Sequence, residues 1–73
     1  MISLYTKKNC EKCQKIKSIL RERKIQFVEK PIEIADNLAE LINSGITLGD
    51  APVMEKDGVY YTNSSGLLKA IPQ

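Results

Sequence analysis

A chain of 73 residues has room for one small domain, residues 1–73, that buries only about 60% of its unfolded surface; a second domain, a solenoid or a ligand-enclosing barrel is excluded. Its 42% apolar and 27% charged residues describe an ordinary globular chain, and no apolar run approaches the roughly 20 residues that span a bilayer. The net charge of +2 hides an asymmetry: residues 1–24 carry eight Lys and Arg against two Glu, net +6, and residues 25–73 carry three Lys against seven Asp and Glu, net −4.

Ile2-Ser3-Leu4-Tyr5-Thr6 is short, β-prone and ends on polar residues, which predicts a strand. From Glu11 to about Lys24, residues Cys13, Ile16, Ile19 and Leu20 form the apolar stripe of a helix, with lysines and arginines opposite. Asn9 or Cys10 stands at its N-cap. Ile25-Gln26-Phe27-Val28-Glu29 alternates and predicts a second strand. Pro31, which has no ladder donor, puts the end of that strand at an edge or just outside the sheet. Ile34, Leu38, Leu41 and Ile42 recur at helical spacing, with Gly45 as the C-cap. Residues 45–51 read as a loop. Residues 52–56 and 59–61 flank Asp57-Gly58, the pattern of a hairpin with a two-residue turn. The polar run Thr62-Asn63-Ser64-Ser65 then caps a last short helix that carries Leu67, Leu68 and Ile71 inward and stops at Pro72.

The order is β-α-β-α-β-β-α, an α/β arrangement. A right-handed crossover makes the first two strands parallel, and the hairpin adds two antiparallel ones. The expected architecture is a four-stranded mixed sheet whose faces bury the stripes of three helices. Tyr5 and Met54 are expected to pack in the core. Tyr60 and Tyr61 point to opposite faces, which predicts one in the core and one on the surface.

Two cysteines are too few for a disulfide scaffold, and a bridge between Cys10 and Cys13 closes almost no loop, so it adds little chain-entropy stability. The spacing suits chemistry better than stapling. With no histidine, Cys/His zinc sites and imidazole-based triads lack their parts. A Cys-x-x-Cys following the first strand of a βαβ pattern is a thioredoxin-like redox motif. Its first cysteine lies at a helix N-terminus, where unpaired backbone N–H groups and the helix dipole favour a thiolate. The second lies one turn later on the apolar stripe. Cys10 is therefore the expected nucleophile and Cys13 the resolving thiol. A soft-metal site for Cu(I) or zinc, or a bridged iron–sulfur cluster, is the competing use of the same sulfurs.

Tyr5-Thr6-Lys7-Lys8-Asn9-Cys10 leading into Cys13, the basic helix, and Ala51-Pro52-Val53 before the hairpin resemble the glutaredoxins over nearly the whole chain. The Ala-Pro-Val variant looks most like the glutaredoxin-like hydrogen donors of ribonucleotide reductase, which take electrons from thioredoxin reductase rather than glutathione. The resemblance implies a minimal thioredoxin/glutaredoxin fold and dithiol–disulfide exchange on protein or small-molecule disulfides, with no bound cofactor. It implies that Lys7, with Lys8 beside it, supports the thiolate. Pro52 would be cis and face the cysteines, with the Ala51 backbone pairing with substrate. Thr62, Asn63, Ser64 and Ser65 would form the far wall. Glutathione or thioredoxin reductase is the expected reductant, and ribonucleotide reductase is a candidate among disulfide-bearing targets.

Some positions depart from the family pattern. Glu11-Lys12 fills the gap where glutaredoxins commonly carry Pro-Tyr. Glu11 opposes a thiolate on Cys10, whereas Lys12, Lys7 and Lys8 favour it. The family's paired glycines fall on Thr62-Asn63, and the acidic residue that meets the glutathione ammonium falls on Ser65, so a weakened glutathione site is expected. The basic segment reads as a solvated helix face or as a surface that attracts acidic partners and anionic thiols. No aromatic residues interleave with its cations, so nucleic acid is not an expected partner. Lys7 and Lys8 interrupt the N-terminal segment before a signal-like apolar core develops, and the expectation is a cytoplasmic monomer without a membrane.

Overall fold

The computed structural model describes residues 2–46, 51–62 and 66–71. Strands β1 (Ile2–Thr6), β2 (Phe27–Pro31), β3 (Val53–Lys56) and β4 (Val59–Thr62) alternate with helices α1 (Glu11–Glu22), α2 (Ala35–Asn43) and α3 (Leu67–Ala70) in the predicted order. The sheet runs β2-β1-β3-β4. β1 pairs parallel with β2 and antiparallel with β3, and β3 pairs antiparallel with β4. Asp57 and Gly58 both take positive φ, 53° and 82°, as a two-residue hairpin turn of the right twist demands.

Each face of the sheet has its own core. Ile2 and Leu4 on β1 and Met54 on β3 meet Ile16 and Leu20 of α1, with Leu67 and Ile71, on one face. Tyr5 and Val53 meet Leu41 of α2 on the other. β1 is thus apolar toward both faces, and four of its five residues are buried. The two tyrosines of β4 correct the expectation of one core and one surface residue. Both are half-buried, Tyr61 against the α1 core and Tyr60 against the α2 core, because helices cover both faces.

Four expectations about boundaries and stripes also need correction. Ile25 is not in a strand. Its N–H donates to the Leu20 carbonyl (2.9 Å), while the Lys24 N–H donates to Arg21 (3.0 Å), so both close α1 in a Schellman motif. The second strand therefore starts at Phe27 and includes Pro31, tolerated because β2 is an edge strand. On α2 only Leu41 is buried, and Ile34 and Ile42 stay exposed, because nine residues cover part of one sheet face. On α3 the expected inward Leu68 is 54% exposed. The cap of α3 is Gly66 in the left-handed region with no side-chain capping bond, in place of the expected polar side chain. Asn63, Ser64, Ser65 and Pro72 lie outside the described residues.

The two C-termini of α1 and α2 use the same motif with different residues. Gly45 (φ 81°) donates to Ile42, and Ile46 donates to Leu41, repeating the pattern of Lys24 (φ 57°) and Ile25. A lysine in that left-handed position pays a steric penalty that glycine avoids. Lys24→Gly is expected to raise stability by about 0.5–1 kcal/mol, net of the extra freedom glycine gives the unfolded chain. Lys24→Ala should gain nothing. Urea denaturation midpoints of the two variants check this.

Candidate functional site

The end of β1 delivers the chain to a tight turn. Lys7, Lys8 and Asn9 are exposed, and Asn9 takes φ 54°, a left-handed conformation that Asn tolerates better than most side chains. The turn sets Cys10 at the N-cap of α1 with extended backbone angles, φ −113° and ψ 101°. Its Sγ accepts a hydrogen bond from the Cys13 N–H at 3.1 Å. A sulfur therefore does the work that a Ser or Asp oxygen does at most helix starts. Cys10 and Cys13 are joined as a disulfide with Cα atoms 5.2 Å apart. Cys13 is fully buried and Cys10 is 8% exposed.

Ala51 forms one buried cluster with the two cysteines, and the Ala51–Pro52 peptide is cis. Two shallow depressions, each about 380 Å³, open over the pair. Asn9, Cys10, Glu11 and Gln14 line one; Lys7, Lys12 and Ala51 join Asn9, Cys10 and Glu11 in the other. Cys10 faces both and Cys13 faces neither. Glu11 borders both depressions, with only neutral amides beside it in the first and with Lys7 and Lys12 in the second.

Of the residues expected from sequence, the structure brings together Lys7, Cys10, Cys13, Ala51 and Pro52. Lys8 is not among the described residues that line the depressions; its backbone N–H donates to a Glu33 carboxylate oxygen at 3.0 Å. Thr62 is the last residue of β4, buried and paired in register with Val53. Asn63, Ser64 and Ser65 lie outside the described residues. Gln14 was not expected at the site, although its place one turn after Cys10 could have suggested it. Glu33 had no sequence signal. Among the described residues no group of three or more metal-capable side chains forms, so the soft-metal alternative has two sulfurs and no further ligand there. No helix among those residues is long and apolar enough to cross a membrane.

Two acidic residues brace the strand that carries the site. On the α1 side, Glu29 accepts from Lys17 (3.1 Å) and from Thr6 Oγ1 (3.0 Å). On the α2 side, Glu40 accepts from Lys30 (2.8 Å) and from the Tyr5 hydroxyl (2.7 Å), and the Lys30 ammonium lies 5.4 Å from the Tyr5 ring centroid. Burial, followed by the hydrogen bond to Glu40, pushes the Tyr5 hydroxyl well above its ordinary pKa, so it stays a neutral donor.

A family model described as Glutaredoxin matches residues 2–47. Among solved structures, the glutaredoxin-like protein NrdH-redoxin from Escherichia coli is similar, with a TM-score of 0.73 and 18% identity over 99% of this chain and 96% of that one. That likeness establishes the thioredoxin-like fold. No curated protein matches.

The bracing carboxylates make stability depend on pH. The Lys17 hydrogen bond holds Glu29 below its ordinary value, and the Lys30 hydrogen bond does the same for Glu40. A depressed carboxyl pKa contributes stability above the unfolded value near 4.3, and that contribution is lost as pH falls through the folded value. Stability is therefore expected to drop below about pH 5. Glu29→Gln and Glu40→Gln should each flatten that drop, read from denaturation midpoints over about pH 3 to 7. An unchanged slope in both variants removes the bracing role.

Proposed function

The chain belongs to the glutaredoxin family, and we propose that it is a dithiol–disulfide oxidoreductase in which Cys10 is the nucleophile and Cys13 the resolving thiol. The observation that carries this reading is the asymmetry of the pair. Cys10 caps a helix and faces both depressions, whereas Cys13 is wholly buried behind it. In the reduced protein the Cys10 thiolate attacks one sulfur of a substrate disulfide. The S–S bond breaks, the other substrate sulfur leaves as a thiolate, and a mixed disulfide joins Cys10 to the substrate. The Cys13 thiol, deprotonated, attacks Cys10 Sγ and expels the second substrate thiolate. Two electrons have passed to the substrate, and the Cys10–Cys13 disulfide remains for an external dithiol to reduce.

The surroundings support each part. The first-turn N–H groups and the α1 dipole favour negative charge on Cys10 Sγ, and the Cys13 N–H donates to that atom directly. Lys7 and Lys12 share its depression and add positive potential, and Lys8 adds to it from the neighbouring turn position; Glu11 opposes them. Ala51, clustered with the cysteines, and Pro52 after it are assigned the contact with a bound substrate chain on the family resemblance. Thr62, Asn63, Ser64 and Ser65 are assigned the far wall on the family resemblance.

For the electron donor we favour a thioredoxin-reductase-type dithiol over glutathione. NrdH-redoxin has a thioredoxin-like activity profile, and two family elements for glutathione are replaced here by Thr62-Asn63 and Ser65. Ribonucleotide reductase is the first target to test among disulfide-bearing proteins, and the cytoplasm is the compartment in which this chemistry is placed.

Two measurements test the proposal. A limiting alkylating agent at neutral pH should label Cys10 of the reduced protein first, with an apparent pKa below the free-thiol value of about 8.5. Equal labelling, or faster labelling of Cys13, reverses the roles. In coupled assays, turnover should be poor with glutathione and glutathione reductase and better with thioredoxin reductase. Each missing charge-assisted hydrogen bond lowers glutathione affinity by about 1.5–3 kcal/mol, or one to two powers of ten. Replacing Thr62-Asn63 with two glycines, together with Ser65→Asp, should raise the glutathione rate. Equal rates with both donors in the unaltered chain would overturn this choice of donor.

A further inference from the structure

We propose that the groove between α1 and α3 docks target polypeptides, and that it selects a segment in which an aliphatic residue flanked by carboxylates lies about three residues from the reactive cysteine. The proposal rests on the oxidoreductase reading above. The groove has a volume of about 230 Å³ and is lined by Lys12, Lys15, Ile16 and Leu68. A cavity of about 150 Å³ already accepts a benzene ring, so one aliphatic side chain fits. Leu68 is 54% exposed although its neighbours Leu67 and Ile71 are buried in the core.

Charge and continuity identify the occupant. Lys12 and Lys15 are exposed, and the ion pairs of the described residues engage Lys17 and Lys30 instead. Lys12 also lines the depression that contains Cys10 and Ala51, so one surface runs from the reactive sulfur into the groove. An apolar floor beside two free ammonium groups complements an acidic, aliphatic segment and repels a basic one. The spacing follows from helix geometry. Cys10 to Ile16 is six steps along α1, about 9 Å at 1.5 Å per residue. An extended target strand covers that in about three residues at 3.3 Å each.

The test uses the reduced 73-residue chain in single-turnover reactions with symmetrical peptide disulfides. In the first peptide Asp-Leu-Glu is centred on the third residue after the cysteine; in the others Lys-Leu-Lys or Asp-Ser-Glu replaces it. Bis(2-hydroxyethyl) disulfide serves as a small uncharged control. The Asp-Leu-Glu peptide should react fastest, by about tenfold over either alternative, and its advantage over the lysine peptide should shrink as salt rises. Leu68→Ser and Lys15→Glu should each remove most of that advantage and leave the small disulfide unchanged. Equal rates for the three peptides, or a Leu68→Ser variant that keeps the preference, overturns the docking site while the oxidoreductase reading stands. A chain inert toward the small disulfide loses the oxidoreductase reading. In that event the Asp-Leu-Glu peptide with Ser for Cys is titrated into isotope-labelled oxidised protein. NMR shifts at Lys15 and Leu68 then retain the groove as a binding site, and their absence removes it.

Discussion

The hydrogen bond from the Cys13 N–H to Cys10 Sγ depends on everything around it, and the site depends on that bond. A helix start leaves several N–H groups without partners, and a sulfur is a weaker acceptor than the oxygens that usually fill the N-cap. It suffices here because the position of α1 is fixed elsewhere. Ile16 and Leu20 bury against β1, β3 and α3, and a Schellman motif closes the far end. The helix stands on its packing, so its first turn is available for chemistry. The same group that completes the helix is an acceptor that gains strength as it becomes a thiolate.

This arrangement explains why β1 is the most constrained element. It lies between β2 and β3, is apolar toward both cores, and ends one turn before Cys10. Its last residues and the turn after them are held by side-chain contacts as well. Thr6 donates to Glu29, Tyr5 donates to Glu40, and Glu33 accepts from the Lys8 backbone. The Ile32 N–H also donates to the Thr6 carbonyl, extending the parallel pairing beyond β2. These contacts surround a turn whose conformation at Asn9 is one that few side chains adopt readily. Without them the turn has many alternatives, and Cys10 loses its alignment with α1 and Ala51.

The local periodicities were legible in the sequence, and the long-range polar contacts were not. β1 is read correctly to the residue because its apolar positions and polar end agree. The Asp57-Gly58 turn is likewise a local rule. β2 was misplaced by two residues because alternation cannot reveal that the Ile25 N–H already belongs to the end of α1. The stripe of α2 was overestimated because burial depends on how far the opposing sheet extends. At the site, Cys10, Cys13 and Ala51 come together, with Pro52 next in the chain, because spacing and topology both constrain them. Glu33, Glu29 and Glu40 could not be assigned, since an exposed carboxylate has no local signature that names its partner across 10 to 35 residues of chain.

The charge asymmetry acquires meaning only when the lysines are separated by the flank of α1 on which they lie. Lys17 projects toward β2 and meets Glu29, with its side chain only 11% exposed. Lys12 and Lys15 lie on the opposite flank, toward α3, where Leu68 is the exposed neighbour. Among its lysines, α1 therefore has one used by the fold and two that border the groove beside the Cys10 depression. An exposed cluster of like charges destabilises the compact state slightly through self-repulsion. In a chain this small the stabilising margin is narrow, so charge left unpaired beside a reactive sulfur is better understood through its effect on incoming molecules than through any contribution to folding.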